Sequence, residues 1–127
     1  MSTTPAKILV VEDDPQTAKM VLTTIQRAGL EAMQVGNGSE AIEYLNSEKP
    51  DIIVLDLNLP QINGWQVLDY AQAKYGADSI KVIVTTARND AVNQVIGKLH
   101  FVARYLVKPY VPDELSSTIK SLLGITE

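Results

Sequence analysis

Two hydrophobic periods alternate along the chain. Lys7 to Val11 is a continuous apolar, β-branched run ended by Glu12, Asp13 and Asp14, the pattern of a strand covered on both faces. Ala18, Val21, Leu22, Ile25 and Ala28 then recur at helical spacing behind Pro15, with Asp14 suited to the N-cap and Gly29 to the helix end. Glu31 to Val35 alternates like an edge strand, and Gly36-Asn37-Gly38 breaks the pattern before a short helix carrying Ala41, Ile42 and Leu45, closed by Lys49-Pro50. Asp51 to Pro60 holds an almost unbroken apolar run that delivers Asp56 to the tip of a buried strand. A third helix is predicted from Trp65 to Lys74, with Val67, Leu68 and Ala71 inward and its end near Gly76. Lys81 to Thr85 reads as a fourth strand. Asn89 or Asp90 can cap a helix with Val92, Val95, Ile96 and Leu99 as its apolar positions. Ala103 to Val107 is a fifth strand, and Pro112 and Asp113 open a last helix with Leu115, Ile119 and Leu122, ended by Gly124.

Strands and helices in strict alternation imply a doubly wound α/β fold, because parallel neighbours require right-handed helical crossovers. In such a sheet the strand carboxyl ends share one edge, where ligands bind. That edge would gather Glu12, Asp13, Asp56, Thr86 and Lys108, while the second strand brings nothing charged or hydroxylated. Each residue alone has an ordinary explanation. Asp56 could cap a turn, Thr86 could be a strand-end hydroxyl, Tyr105 a strand aromatic, and Arg88 half of an exposed ion pair. Trp65 fits local packing, His100 a helix end, and Asp14 a helix N-terminal acid.

Together the strand ends are harder to explain as packing. Converging acids repel unless a cation compensates, and Mg²⁺ suits one or two carboxylates, a carbonyl, waters and phosphate oxygens. Lys108 and Thr86 add a cation and a hydroxyl for the remaining oxygens of a phosphoryl group, and a carboxylate such as Asp56 can be the nucleophile that forms an aspartyl phosphate.

Composition narrows the alternatives. A chain of 127 residues with 46% hydrophobic and 20% charged residues fits one globular domain. A net charge of −4 argues against direct nucleic-acid binding, which needs clustered cations. With no cysteine there is no disulfide or thiolate chemistry. No apolar run is long enough to span a bilayer and no leader pattern begins the chain, so the expectation is a cytoplasmic protein without membrane insertion.

Ile8 to Pro15, Asp51 to Pro60, Thr86-Ala87-Arg88 and Tyr105-Leu106-Val107-Lys108-Pro109 resemble, in order and spacing, the signature segments of receiver domains of two-component response regulators. The resemblance runs from about Lys7 to Leu123 and implies a flavodoxin-like five-stranded sheet in the order 2-1-3-4-5. It implies that Asp56 accepts a phosphoryl group from a histidine kinase or phosphotransfer protein. It also implies that Glu12, Asp13, Asp56 and the Asn58 carbonyl hold Mg²⁺, with Glu12 acting through water. Lys108 would contact the phosphoryl group. Thr86 and Tyr105 would form the switch, the Asn58 and Arg88 side chains would modulate phosphoryl lifetime, and Lys108-Pro109 would be cis. By the same resemblance the chain is a single receiver domain over residues 1–127 with no effector domain, a monomer or weak dimer that signals to an unidentified protein and catalyses nothing beyond its own phosphorylation and dephosphorylation.

One segment departs from the family's pattern. Phe101-Val102-Ala103-Arg104 stands where relatives carry a Gly-Ala-Asp-Asp run, so neither a left-handed helix end nor a charge-paired dimer can be assumed there. Three other readings stay open. A Mg²⁺-dependent phosphohydrolase would want a second acid where Asn58 stands, a flavodoxin-like cofactor binder would want glycines in the acidic first turn, and a receiver-shaped interaction module would need no phosphorylation.

Overall fold

The computed structural model describes residues 5–57, 64–76, 78–86 and 102–124. Within them lie strands β1 (Lys7–Val11), β2 (Glu31–Val35), β3 (Ile52–Asp56), β4 (Lys81–Thr86) and β5 (Arg104–Val107) and helices α1 (Pro15–Arg27), α2 (Gly38–Ser47), α3 (Gly64–Tyr75) and α4 (Pro112–Leu123). All strand pairs are parallel, in the order β2-β1-β3-β4-β5. The helix predicted around Val92 to Leu99, together with Asn58, Arg88, His100 and Phe101, lies outside the described residues.

Strand alternation divides the core into two layers, since successive side chains point to opposite sheet faces. Leu9, Val11, Ile53, Leu55, Val82 and Val84 meet Ala41 and Leu45 of α2 and Val67, Leu68 and Ala71 of α3. Ile8, Val10, Ile52, Val54, Ile83 and Leu106 meet Val21 and Ile25 of α1 and Leu115 and Ile119 of α4. Because β1, β3 and most of β4 are buried on both faces, they carry the continuous apolar runs that made them legible. β2 is the open edge, with Met33 51% exposed.

Local chemistry sets the helix ends. Asp14 caps α1 by accepting from the Thr17 N–H at 2.9 Å, and Pro15 occupies the first turn, where its missing N–H costs nothing. The helix ends at Ala28, with Gly29 taking the left-handed conformation at φ 80°. At α2, Asn37 accepts from the Glu40 N–H at 2.9 Å, and the Glu40 carboxylate accepts from the Gly36 N–H at 2.8 Å. That reciprocal cap makes Gly38 the first helical residue rather than part of a break.

Two strands end at site residues. Asp56 is itself the last residue of β3, opposite Thr85, and the Leu57 N–H continues the ladder to the Thr85 carbonyl at 3.2 Å. Thr86 is likewise the last residue of β4, opposite Val107, instead of lying just past a strand ending at Thr85. α3 begins directly above this edge. A Cβ on Gly64 would stand 3.2 Å from the Leu55 and Leu57 side chains and 3.3 Å from the Asp56 carbonyl, so glycine lets the helix start close against the strand that carries Asp56.

Candidate functional site

The site is assembled from the carboxyl ends of β1, β3 and β5. Glu12 follows β1 directly and is buried, with 3% of its surface exposed. Its backbone is clamped from β2: its N–H donates to the Val35 carbonyl at 3.1 Å, and its carbonyl accepts from Gln34 Nε2 at 2.8 Å. Glu12 Oε2 accepts from the Asp14 N–H at 3.1 Å, which ties the acid to the start of α1. Asp14 itself is engaged as the cap, and hydrogen bonds from the Thr17 hydroxyl and N–H hold its carboxyl below the usual range. It therefore serves the helix, as the sequence suggested.

Lys108 joins the two buried acids. Its Nζ lies 2.9 Å from Glu12 Oε1 and 3.1 Å from Asp56 Oδ2, and its side chain is only 25% exposed. Burial pushes the Glu12 carboxyl upward and the Asp56 charge adds to that, while the Lys108 ammonium and the Asp14 N–H oppose it. Burial alone would lower the Lys108 ammonium. Its hydrogen bonds to Glu12 and Asp56 outweigh that effect and raise it above the ordinary value.

Glu12, Asp13 and Asp56 each offer a carboxylate oxygen, and these oxygens lie within 4.8 Å of one another. Glu12 and Asp56 are buried and Asp13 is exposed, so two of the carboxylates are enclosed by the fold while the third is open to solvent. A donor set of hard oxygens with one open side fits Mg²⁺, which keeps waters and takes phosphate oxygens as further ligands. It does not fit zinc, which prefers nitrogen and sulfur.

The remaining predicted residues surround this group unevenly. Thr86 is buried, and its carbonyl accepts from the Lys108 N–H at 2.8 Å, so the backbone of the lysine is fixed to β4. Tyr105 is half-buried and packs with Val102 against the layer covered by α2 and α3. Trp65 packs on the same layer, in agreement with a local role. The Lys108-Pro109 bond is cis, as the resemblance implied. Asn58 and Arg88 cannot be added to the geometry, as both fall outside the described residues.

Two neighbours escaped the sequence reading. Gln34, on the strand read as an edge, was assigned no role from the sequence, yet the register that sets it opposite Val10 lets its side chain reach the Glu12 carbonyl. Tyr110, next to Pro109, was assigned no role from the sequence. It is buried, and its hydroxyl has no hydrogen-bond partner. The cap-like Asp14 had a clear sequence signal, whereas nothing in composition or period marks either of these.

Fold and site define a doubly wound α/β domain whose carboxyl edge carries a cluster of three carboxylates beside a lysine. Residues 8–120 match the family model of the response regulator receiver domain, and the chain belongs to that family, the receivers of two-component signalling. The DNA-binding response regulator MtrA of Mycolicibacterium smegmatis is 33% identical over 127 residues, covering 100% of this chain and 54% of that protein. The alkaline phosphatase synthesis transcriptional regulatory protein PhoP of Bacillus subtilis is 30% identical, covering 95% of this chain and 50% of that protein. The chain thus spans about half the length of these curated relatives. Among solved structures, the chemotaxis response regulator CheY4 of Vibrio cholerae superposes with a TM-score of 0.87 at 27% identity, covering 94% of this chain and 99% of that one. A CheY-like receiver from Methanospirillum hungatei reaches 0.88 at 23% identity, with 95% of each chain covered, and speaks to the fold. No helix among the described residues is long and apolar enough to cross a membrane.

Proposed function

We propose that Asp56 is the phosphoacceptor of this receiver, taking a phosphoryl group from the phosphohistidine of a sensor kinase or phosphotransfer protein. The observation that carries this reading is the Lys108 ammonium held on both Glu12 and Asp56, at 2.9 and 3.1 Å. It supplies positive charge at the point where phosphoryl oxygens would arrive.

In the transfer, a carboxylate oxygen of Asp56 bonds to phosphorus as the phosphorus–nitrogen bond of the donor breaks. The imidazole nitrogen keeps that electron pair and takes a proton from solvent. Glu12, Asp13 and Asp56, with the Asn58 carbonyl, would hold Mg²⁺, which supplies charge neutralisation for the phosphoryl oxygens. Lys108 turns its ammonium from Glu12 toward the new phosphoryl oxygens, and Thr86 offers its hydroxyl. The Lys108 N–H bond to the Thr86 carbonyl couples that change to the β4–β5 pair, and Tyr105 on β5 is the side chain through which it would reach a partner protein. Asn58 and Arg88 are assigned to the lifetime of the phosphoryl group by family resemblance alone.

The proposed output is a protein contact, and the domain's only chemistry is on itself. Some relatives carry DNA-binding in their names and are about twice as long. For this chain, the reading without direct nucleic-acid contact rests on its net charge of −4.

The test is the intact mass of the wild type after incubation with a small acyl phosphate, with Mg²⁺ and with EDTA. One phosphoryl group is expected with Mg²⁺ and almost none with EDTA. An unchanged mass when Mg²⁺ binding is demonstrated would favour a receiver-shaped module that accepts no phosphate. Repeated turnover of phosphomonoesters would favour a hydrolase.

A further inference from the structure

β1 ends at Val11, paired with Val35 of β2 on one side and with Leu55 of β3 on the other. Glu12 is therefore the first residue past the strand, and Asp14 is already the cap of α1. Between these two fixed points lies Asp13, the exposed member of the carboxylate cluster. Its place depends on how the peptide between Glu12 and Asp13 is held, because a planar peptide passes the orientation of its carbonyl on to the next Cα.

The strand ladder does not hold that peptide. Hydrogen bonds between parallel strands recur every second residue, and here they run from the Glu31 N–H to the Ala6 carbonyl at 3.0 Å and from the Glu12 N–H to the Val35 carbonyl at 3.1 Å. The next rung would bring the Asn37 N–H to the Glu12 carbonyl. β2 has ended by then, and Asn37 serves as the N-cap of α2. The Gln34 side chain takes the vacant place, its Nε2 donating to the Glu12 carbonyl at 2.8 Å. Gln34 is half-buried and lines one open groove with Asp13, Pro15 and Lys19, so it stands beside the acid whose backbone the bond steadies. Ordering a long amide side chain costs rotamer freedom, which a residue needed only for solubility on an edge would not give up.

We propose that Gln34 is a positioning residue for the cation site. Its amide stands in for the missing rung and holds the Glu12–Asp13 peptide in the arrangement that gathers three carboxylate oxygens within 4.8 Å, ready for Mg²⁺. The inference rests on the Mg²⁺ reading given above. Gln34 touches neither the ion nor a phosphoryl group and acts through the backbone of Glu12. Without the bond the peptide is free to turn, and the ion must reorder it on binding, so the loss appears in metal affinity.

Calorimetric titration of Mg²⁺ into the wild type, Gln34→Met and Gln34→Asn tests this, with urea unfolding of each in EDTA beside it. Methionine keeps the length and removes the donor, whereas asparagine keeps the amide on a side chain one methylene shorter. Both variants are expected to bind Mg²⁺ about five- to tenfold more weakly, near the low end for groups that orient metal ligands. Gln26→Met, a change at an exposed position on the same groove, is expected to bind as the wild type does. A residue that served only the fold would lower the urea midpoint and leave Mg²⁺ affinity unchanged. That result would overturn the proposal, as would equal weakening by Gln26→Met. The inference and the reading beneath it fail in different ways. A wild type that binds no Mg²⁺ removes the metal reading and this inference with it, whereas equal affinity in the wild type and the Gln34 variants removes the inference alone.

Discussion

Asp56→Asn is expected to take up no phosphoryl group from any donor, yet to unfold no more easily than the wild type. The first half follows from chemistry, since a neutral amide is too poor a nucleophile to attack phosphorus, while its shape still suits the end of β3. The second half follows from the charges. Three acids share the site with one lysine, and Glu12 is pushed upward partly by the charge on Asp56. Neutralising Asp56 removes that repulsion and leaves the 2.9 Å bond from Lys108 to Glu12 intact. The weakened bond at 3.1 Å, now to a neutral amide oxygen, and the relieved repulsion oppose each other, and the change in stability should stay within about 1 kcal/mol or favour the variant. Urea unfolding in EDTA measures it. A loss of more than about 2 kcal/mol would show that Asp56 is chiefly a structural partner of Lys108.

Lys108→Met has the opposite character. It is expected to destabilise the protein in EDTA at neutral pH by about 2–4 kcal/mol, somewhat less than a fully buried pair would lose because the lysine is 25% exposed. Two carboxylates with side chains 4% exposed would then share a site without a cation. The pH dependence identifies the cause. Lys108 titrates above its ordinary value when folded, so its contribution is complete at neutral pH and is lost as pH rises through that raised value. Glu12 is also raised when folded, so the fold holds its proton more tightly than the unfolded chain does. Stability therefore falls as pH climbs from the ordinary value of 4.5 through the folded one. Removing Lys108 deletes two influences that lower Glu12, which widens this window upward. The deficit of Lys108→Met relative to the wild type should then be full at neutral pH and shrink as pH falls toward 4.5. Adding Mg²⁺ should restore part of it, because a divalent ion replaces the missing charge. A deficit independent of both pH and Mg²⁺ would mean that the lysine acts through packing alone.

The sheet was legible in the sequence because burial on both faces leaves unbroken apolar runs at β1, β3 and β4, and because helices with an inward stripe separate them. Strand ends in a parallel sheet share an edge, so the convergence of Glu12, Asp13, Asp56 and Lys108 followed from topology once the runs were read. The Asp14-Pro15 cap could be read directly, since both residues act locally. What escaped depends on register and reach. The step that places Asp56 opposite Thr85 and Thr86 opposite Val107 lies in the pairing between strands and not in either strand alone. The reciprocal cap of Asn37 and Glu40 did have a signal, an acceptor three residues before an acid, hidden by two flanking glycines that read as a break. Gln34 and the Tyr110 hydroxyl carried no signal, because one acts across to the neighbouring strand and the other through an absence of partners.

On the function proposed for this receiver, the phosphoryl group resides on Asp56. Protein phosphorylated in Mg²⁺ can be reduced with borohydride, which converts an aspartyl phosphate to homoserine, and the modified residue can then be located by peptide mass. Homoserine is expected at position 56 and nowhere else. Conversion of Asp13 or Asp51 instead, or an unmodified Asp56 in protein that has bound Mg²⁺ and gained a phosphoryl group, would contradict it.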